Sequence, residues 1–254
     1  MNRFGVEVSL QHAPKLDPGY IPLYKFNQAF LKDAKQPLGL AVERSCGEMA
    51  VCETFIHGTP EMRDADHYYV NRLIKTILWM KGGFRIYVRG SEDIRAYLSE
   101  AYSAGGCQEF DWDYMANVFE HPFEVVSCDK LPEAKDSPKA IGRHLDGCRI
   151  GFDAGGSDRK VSAVIDGETV YSEEVVWFPK TNSDPDYHYD GIVSALKSAA
   201  EHMPRVDAVG VSSAGVYIND RTMNASLFLQ VPKDLFDAKV KDIYIRAITD
   251  TFGN

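Results

Sequence analysis

The sequence predicts an α/β protein of two units, and three observations carry that prediction. Short runs rich in β-branched and aromatic residues alternate with longer stretches whose apolar residues recur at helical spacing. Residues 148 to 176 read as three consecutive strands, followed by a helix and a further strand, the element mix of α/β domains. Between the halves, Lys130 to Gly147 carries two prolines and many charges without apolar periodicity, and reads as a linker. The units are therefore expected at 1–135 and 148–254.

Composition sets the function classes. With 254 residues, 44% apolar and 26% charged, the chain can bury a substantial core. A net charge of −9 argues against nucleic acid or an anionic membrane as the main partner, because phosphate backbones need clustered Lys and Arg. The five cysteines, at 46, 52, 107, 128 and 148, are scattered and form no Cys-x-x-Cys pair. They read as reduced thiols of a cytoplasmic protein. No run approaches the roughly 18 apolar residues of a membrane span.

In the first half, Phe4 to Leu10 alternates as a strand, and Tyr24 to Asp33 reads as a short helix. Leu38 to Arg44 and Met49 to Ile56 form a hairpin across Ser45 to Glu48. Thr59 and Pro60 then open a helix with Val70, Leu73, Ile74, Ile77 and Leu78 on one face, ended by Gly82 and Gly83. A strand at Phe84 to Val88, a helix from Ser91, a helix over Trp112 to Glu120 and a strand at Phe123 to Ser127 complete it.

The second half is organised around Asp153-Ala154-Gly155-Gly156-Ser157. A strand over Cys148 to Phe152 delivers Asp153 into this turn, and Val161 to Ile165 leads away from it. Asp166 and Gly167 make a two-residue hairpin turn, and Thr169 to Val176 returns. Two readings of the glycine turn stand. In one, adjacent glycines let backbone N–H groups form a concave nest for a phosphate, with Asp153 acting through a divalent cation or its water. In the other, Asp153 hydrogen-bonds a plain turn in which the glycines supply positive φ.

Asp-x-Gly-Gly-Ser followed by Lys160 and a β-meander resembles the first phosphate loop of the actin-like ATPase and sugar-kinase superfamily. The succession after it resembles the ROK family: Pro179 to Thr181, a helix bearing Ile192, Leu196 and Ala199, a buried strand at Val206 to Ser213, the loop Asn219 to Ser226, and a helix from about Asp234 to Phe252. The resemblance implies an RNase-H-like lobe that binds ATP and Mg²⁺ and transfers phosphate to a sugar. It implies nucleotide contacts at Asp153, Gly155, Gly156, Ser157 and Lys160, Mg²⁺ held through water at Asp153, and sugar contacts at Ser213, Gly215 and Asn224. The first half is similar in element order to the adenosine-side lobe of that superfamily, permuted or duplicated, with Arg44 to Gly47 and Arg89 to Ser91 at stake.

This sequence departs from the ROK pattern in two ways. Ser157 and Asp158 stand where Thr-Lys is usual, with the cation later, at Lys160, as in actins and the activator ATPases of CoA dehydratases. The segment with the catalytic aspartate is expected beyond Asn254, so no catalytic residue is assigned and the catalytic unit is expected to be incomplete here. Three functions follow: a sugar kinase, an activator-type ATPase coupled to a partner, or a non-catalytic sugar- or nucleotide-binding relative, in each case as a homo-oligomer. Asp184 to Asp190 reads as an acidic loop with Asp190 capping a helix from Gly191, a weak metal candidate whose His188 could touch substrate.

Overall fold

The computed structural model describes residues 1–12, 14–138 and 142–253, which divide into two compact units, Met1–Pro138 and Lys139–Asn254. Each is a mixed α/β arrangement. Of the predicted linker, residues 139–141 lie outside the described residues, as does Asn254. The linker's early part is structured: Lys135 exchanges backbone hydrogen bonds with Met49 at 2.8 and 3.1 Å and so belongs to the first unit. Among the described residues no helix is long and apolar enough to cross a membrane.

In the first unit, the predicted strand at Phe4 to Leu10 is instead a tight hairpin of β1 (Asn2–Arg3) and β2 (Val6–Glu7), turned at Phe4 and Gly5, which both have positive φ. Helix α1 (Leu23–Leu31) precedes β3 (Gln36–Glu43) and β4 (Met49–Ile56), an antiparallel pair. Helix α2 (Arg63–Lys81) follows a single 3₁₀ turn at Pro60–Met62, so Thr59 is no side-chain cap. Then come β5 (Arg85–Arg89), α3 (Glu92–Ala101) with Ser91 capping Ile94 N–H, α4 (Glu109–Phe119) and β6 (Glu124–Ser127). The sheet order is β4-β3-β5-β6, and its core includes Phe26, Phe30, Leu40, Val70 and Leu98.

The second unit opens with a meander of β7 (Cys148–Ala154), β8 (Asp158–Ile165) and β9 (Glu168–Val176). Asp166 and Gly167 turn β8 into β9 with φ of 48° and 87°, the double left-handed pair of a type I′ hairpin. Helix α5 (Pro185–Ala200) crosses over to β10 (Ala208–Ser213), which pairs parallel with β7, giving the order β10-β7-β8-β9. A hairpin of β11 (Val216–Ile218) and β12 (Arg221–Asn224) leads to the single turn α6 (Lys233–Leu235), a π-helical stretch at Phe236–Val240 and α7 (Ile243–Phe252).

Three expectations are corrected in this unit. Helix α5 begins at Pro185, six residues before Gly191, and its cap is Asp184, which accepts Asp186 N–H at 2.9 Å. The C-terminal helix is not continuous. Strand β10 is not buried, for Gly210, Val211 and Ser212 are exposed because β7 is its sole strand neighbour among the described residues.

Strict alternation explains the two faces of this sheet. Ile150, Phe152 and Ala154 of β7 and Val161 and Ala163 of β8 point inward against Ile192 and Leu196 of α5 and Ile243 of α7. The intervening residues, Gly151, Asp153, Lys160 and Ser162, face the other side, where they line a cleft of about 440 Å³ with Ser172, Gly210 and Ser212.

Candidate functional site

Strands β7 and β10 run parallel in register, with Asp153 opposite Ser212 and Ala154 opposite Ser213. Their carboxyl ends therefore finish side by side, the place where open α/β sheets collect ligands. The β7–β8 turn, Gly155 to Ser157, rises from one of those ends, and Ala214 and Gly215 continue from the other.

The turn is fixed from below by Trp177, which is 1% exposed. Its indole N–H donates to the Gly155 carbonyl at 2.8 Å, and its backbone N–H donates to the Ser157 carbonyl at 3.1 Å. Two of the turn's three carbonyls are thus consumed, that of Gly155 by the buried indole and that of Ser157 by an extension of the β8–β9 ladder. The N–H groups of Gly155, Gly156 and Ser157 donate to no acceptor among the described residues. Neither glycine has positive φ. Close approach is what they supply: a Cβ on Gly155 would stand 2.5 Å from the Asp158 carbonyl oxygen, and one on Gly156 would stand 2.6 Å from Lys180 Nζ.

The glycines of this turn thus serve close approach and not positive φ, and Asp153 makes no hydrogen bond to the turn. The Asp153 carboxylate accepts no hydrogen bond and joins no ion pair among the described residues. It stands in the open cleft beside Lys160 and Ser212. No cluster of three or more metal-ligating side chains exists among the described residues. A lone carboxylate fits an Mg²⁺ that arrives on a nucleotide with most of its water, not a resident ion in a protein cage.

The other residues expected at the nucleotide are engaged elsewhere. Lys160 Nζ lies 2.7 Å from Asp158 Oδ1 and 3.9 Å from Glu174 Oε2. The hydrogen bond to Asp158 raises the lysine's pKa and lowers that of Asp158. The Ser157 hydroxyl donates to Asp158 Oδ2 at 3.3 Å. Asp158 is thus the hub of this side of the turn, which the sequence reading passed over as a departure from pattern.

Of the three residues expected at the sugar, Ser213 ends β10 and Gly215 follows it beside the Asn224 backbone, but only Ser213 lines a cleft. Ser213 lines a second cleft, of about 510 Å³, with Val209, Val211, Tyr217, Tyr244 and Ile248. The Tyr244 hydroxyl donates to Ser213 Oγ at 3.3 Å, and burial raises the phenol's pKa. A Cβ on Gly215 would stand 2.5 Å from the Asn224 carbonyl oxygen, so this glycine is required by the close passage of β12.

His188 is not at a substrate surface. It is fully buried, with Nδ1 2.9 Å from the Asp184 carbonyl and Nε2 3.0 and 3.2 Å from those of Pro179 and Leu227. Its work is to hold the 3₁₀ turn Pro179–Thr181 against α5. Trp177 and Lys180 are the residues that sequence reasoning missed. For Trp177 a signal existed, since the inward alternation of Tyr171, Glu173 and Val175 continues to 177.

No family model matches this chain, and no curated protein matches it. Among solved structures it is similar to an exopolyphosphatase from Cytophaga hutchinsonii ATCC 33406, at 10% identity over 65% of this chain, with a TM-score of 0.19. The chain spans 58% of that protein's length, and at that TM-score the likeness carries no argument about fold or function.

Proposed function

We propose that residues 148–253 are the phosphate-binding lobe of a ROK-like, RNase-H-type sugar kinase. The Gly155–Ser157 turn takes the phosphate chain of ATP, Asp153 takes the water shell of its Mg²⁺, and the Ser213 end of β10 takes sugar hydroxyls. The observation that carries this reading is the polarity of the turn. Trp177 engages two of the turn's carbonyls, one by the buried indole and one by its backbone N–H, while three N–H groups are left for an anion.

The chemistry asked of such a site is modest. Phosphoryl transfer is accelerated mainly by positioning and by stabilising charge, and bound Mg²⁺ would neutralise phosphate oxygens. The turn supplies oriented dipoles at no reorganisation cost, because the buried indole already holds it. Asp153 orients the cation's water, and Ser213, backed by Tyr244, offers a hydroxyl to the second substrate.

The test is calorimetric titration with Mg·ATP, followed by a sugar panel with and without nucleotide. Binding of Mg·ATP together with one sugar is the expected result. ATP turnover without any sugar would favour an activator-type ATPase. Sugar binding with no nucleotide binding would overturn the reading of the turn.

A further inference from the structure

Two lysines flank the β7–β8 turn, and their surroundings differ. Lys160 is balanced by Asp158 and Glu174, at 2.7 and 3.9 Å. Lys180 is exposed and has no hydrogen-bond or ion-pair partner among the described residues. Yet its side chain lies across Gly156, where a Cβ would stand 2.6 Å from Nζ and closer still to Cε.

The backbone beneath Lys180 is held firmly. Pro179 is buried, and its carbonyl faces His188 Nε2 at 3.0 Å. Phe178 N–H donates to the Tyr187 hydroxyl at 2.9 Å, and Trp177, three residues before Lys180, is bonded to the turn itself. A cation is therefore delivered to a segment whose free N–H dipoles already present partial positive charge. The carboxylate that closes the turn, Asp158, is committed to Lys160. Positive dipoles and an unpaired ammonium on the same few atoms repel each other unless an anion lies between them.

We propose that Lys180, and not Lys160, is the cation that meets the phosphate group bound at Gly155–Ser157. This rests on the reading of the turn as a phosphate site. It gives Gly156 a specific reason: any side chain there displaces the ammonium from the turn. It also gives a lysine, a mobile point charge with three donors, a task suited to following a phosphate.

The test compares Mg·ATP affinity of the full chain with those of Lys180→Met, Lys180→Gln, Lys180→Arg and Lys160→Met, with thermal unfolding of each as a folding check. Loss of a charge-assisted hydrogen bond should weaken binding about tenfold to a hundredfold in both neutral Lys180 variants. Lys180→Arg should recover most of that loss, and binding by both neutral variants should depend less on salt. Lys160→Met should cost less than Lys180→Met. Wild-type affinity in Lys180→Met, or a larger loss in Lys160→Met, would overturn the assignment while leaving the turn as the phosphate site. No Mg·ATP binding by the unaltered chain would overturn both.

Discussion

The indole N–H of Trp177 donates to the Gly155 carbonyl at 2.8 Å, and this bond sets which way the β7–β8 turn presents its backbone. The tryptophan stands one residue past β9, so the third strand of the meander fixes the turn between the first two. Trp177→Phe keeps most of the packing but strands the Gly155 carbonyl. We expect a loss of about 1 kcal/mol of stability, the net worth of a half-buried hydrogen bond, in urea denaturation, with weaker Mg·ATP binding. Unchanged stability would mean that the carbonyl finds water and the indole is not the anchor.

The two glycines of the turn should differ in what they tolerate. Gly155→Ala meets the Asp158 backbone carbonyl, which cannot step aside without moving β8. Gly156→Ala meets the far end of the Lys180 side chain, which can. Thermal unfolding should therefore show the larger drop for Gly155→Ala, while Gly156→Ala acts chiefly on anion affinity. The reverse order would contradict the packing described.

Asp207 offers a pH-dependent test. Its carboxylate accepts Cys148 N–H at 2.8 Å and pairs with Arg205, and these contacts, the backbone one first, hold its pKa below the ordinary 3.8. A depressed carboxylate stabilises the fold fully above its unfolded pKa, and that contribution disappears as pH falls through the folded value. Asp207→Asn should therefore lower the urea midpoint near neutral pH. The gap to the unaltered protein should close below about pH 4. A gap that persists at low pH would point to a packing effect instead.

His188 anchors the turn that carries Lys180, and His188→Leu removes the imidazole from the buried carbonyls of Asp184, Pro179 and Leu227, leaving Pro179 only its 3.3 Å bond from Asn182 N–H. A loss of about 1–3 kcal/mol is expected, together with faster proteolysis at residues 178–183. Stability near the unaltered value would show that the imidazole is not what holds this turn.

Much of the second unit could be read from residues alone. The alternation of β7 and β8 and the Asp166-Gly167 turn specify a meander through local rules. Strand β10 misled because an apolar run gives no sign of how many neighbours it will have. The C-terminal helix misled for a backbone reason: the Lys241 carbonyl accepts Thr222 N–H at 2.8 Å, and the stretch before it widens to a π-helix. Asp184 before Pro185 was a legible cap signal, overshadowed by the acidic residues that follow. At the site, Asp153 and the glycines stood out by spacing. Lys180 did not, because its place over Gly156 depends on how the chain turns after β9 and on a histidine nine residues beyond Pro179.

The central claim is that Asp153 and the turn behind it bind a magnesium-carried phosphate chain. It is tested most directly by titrating ATP into the protein and into Asp153→Ala, each with and without Mg²⁺. The account predicts binding that requires Mg²⁺ in the unaltered protein and is abolished in Asp153→Ala, whose fold should be intact because the carboxylate accepts no hydrogen bond and joins no close ion pair among the described residues, feeling only the charge of Lys160 and the Tyr244 phenol at longer range. Equal Mg²⁺-dependent binding by the two proteins would contradict it.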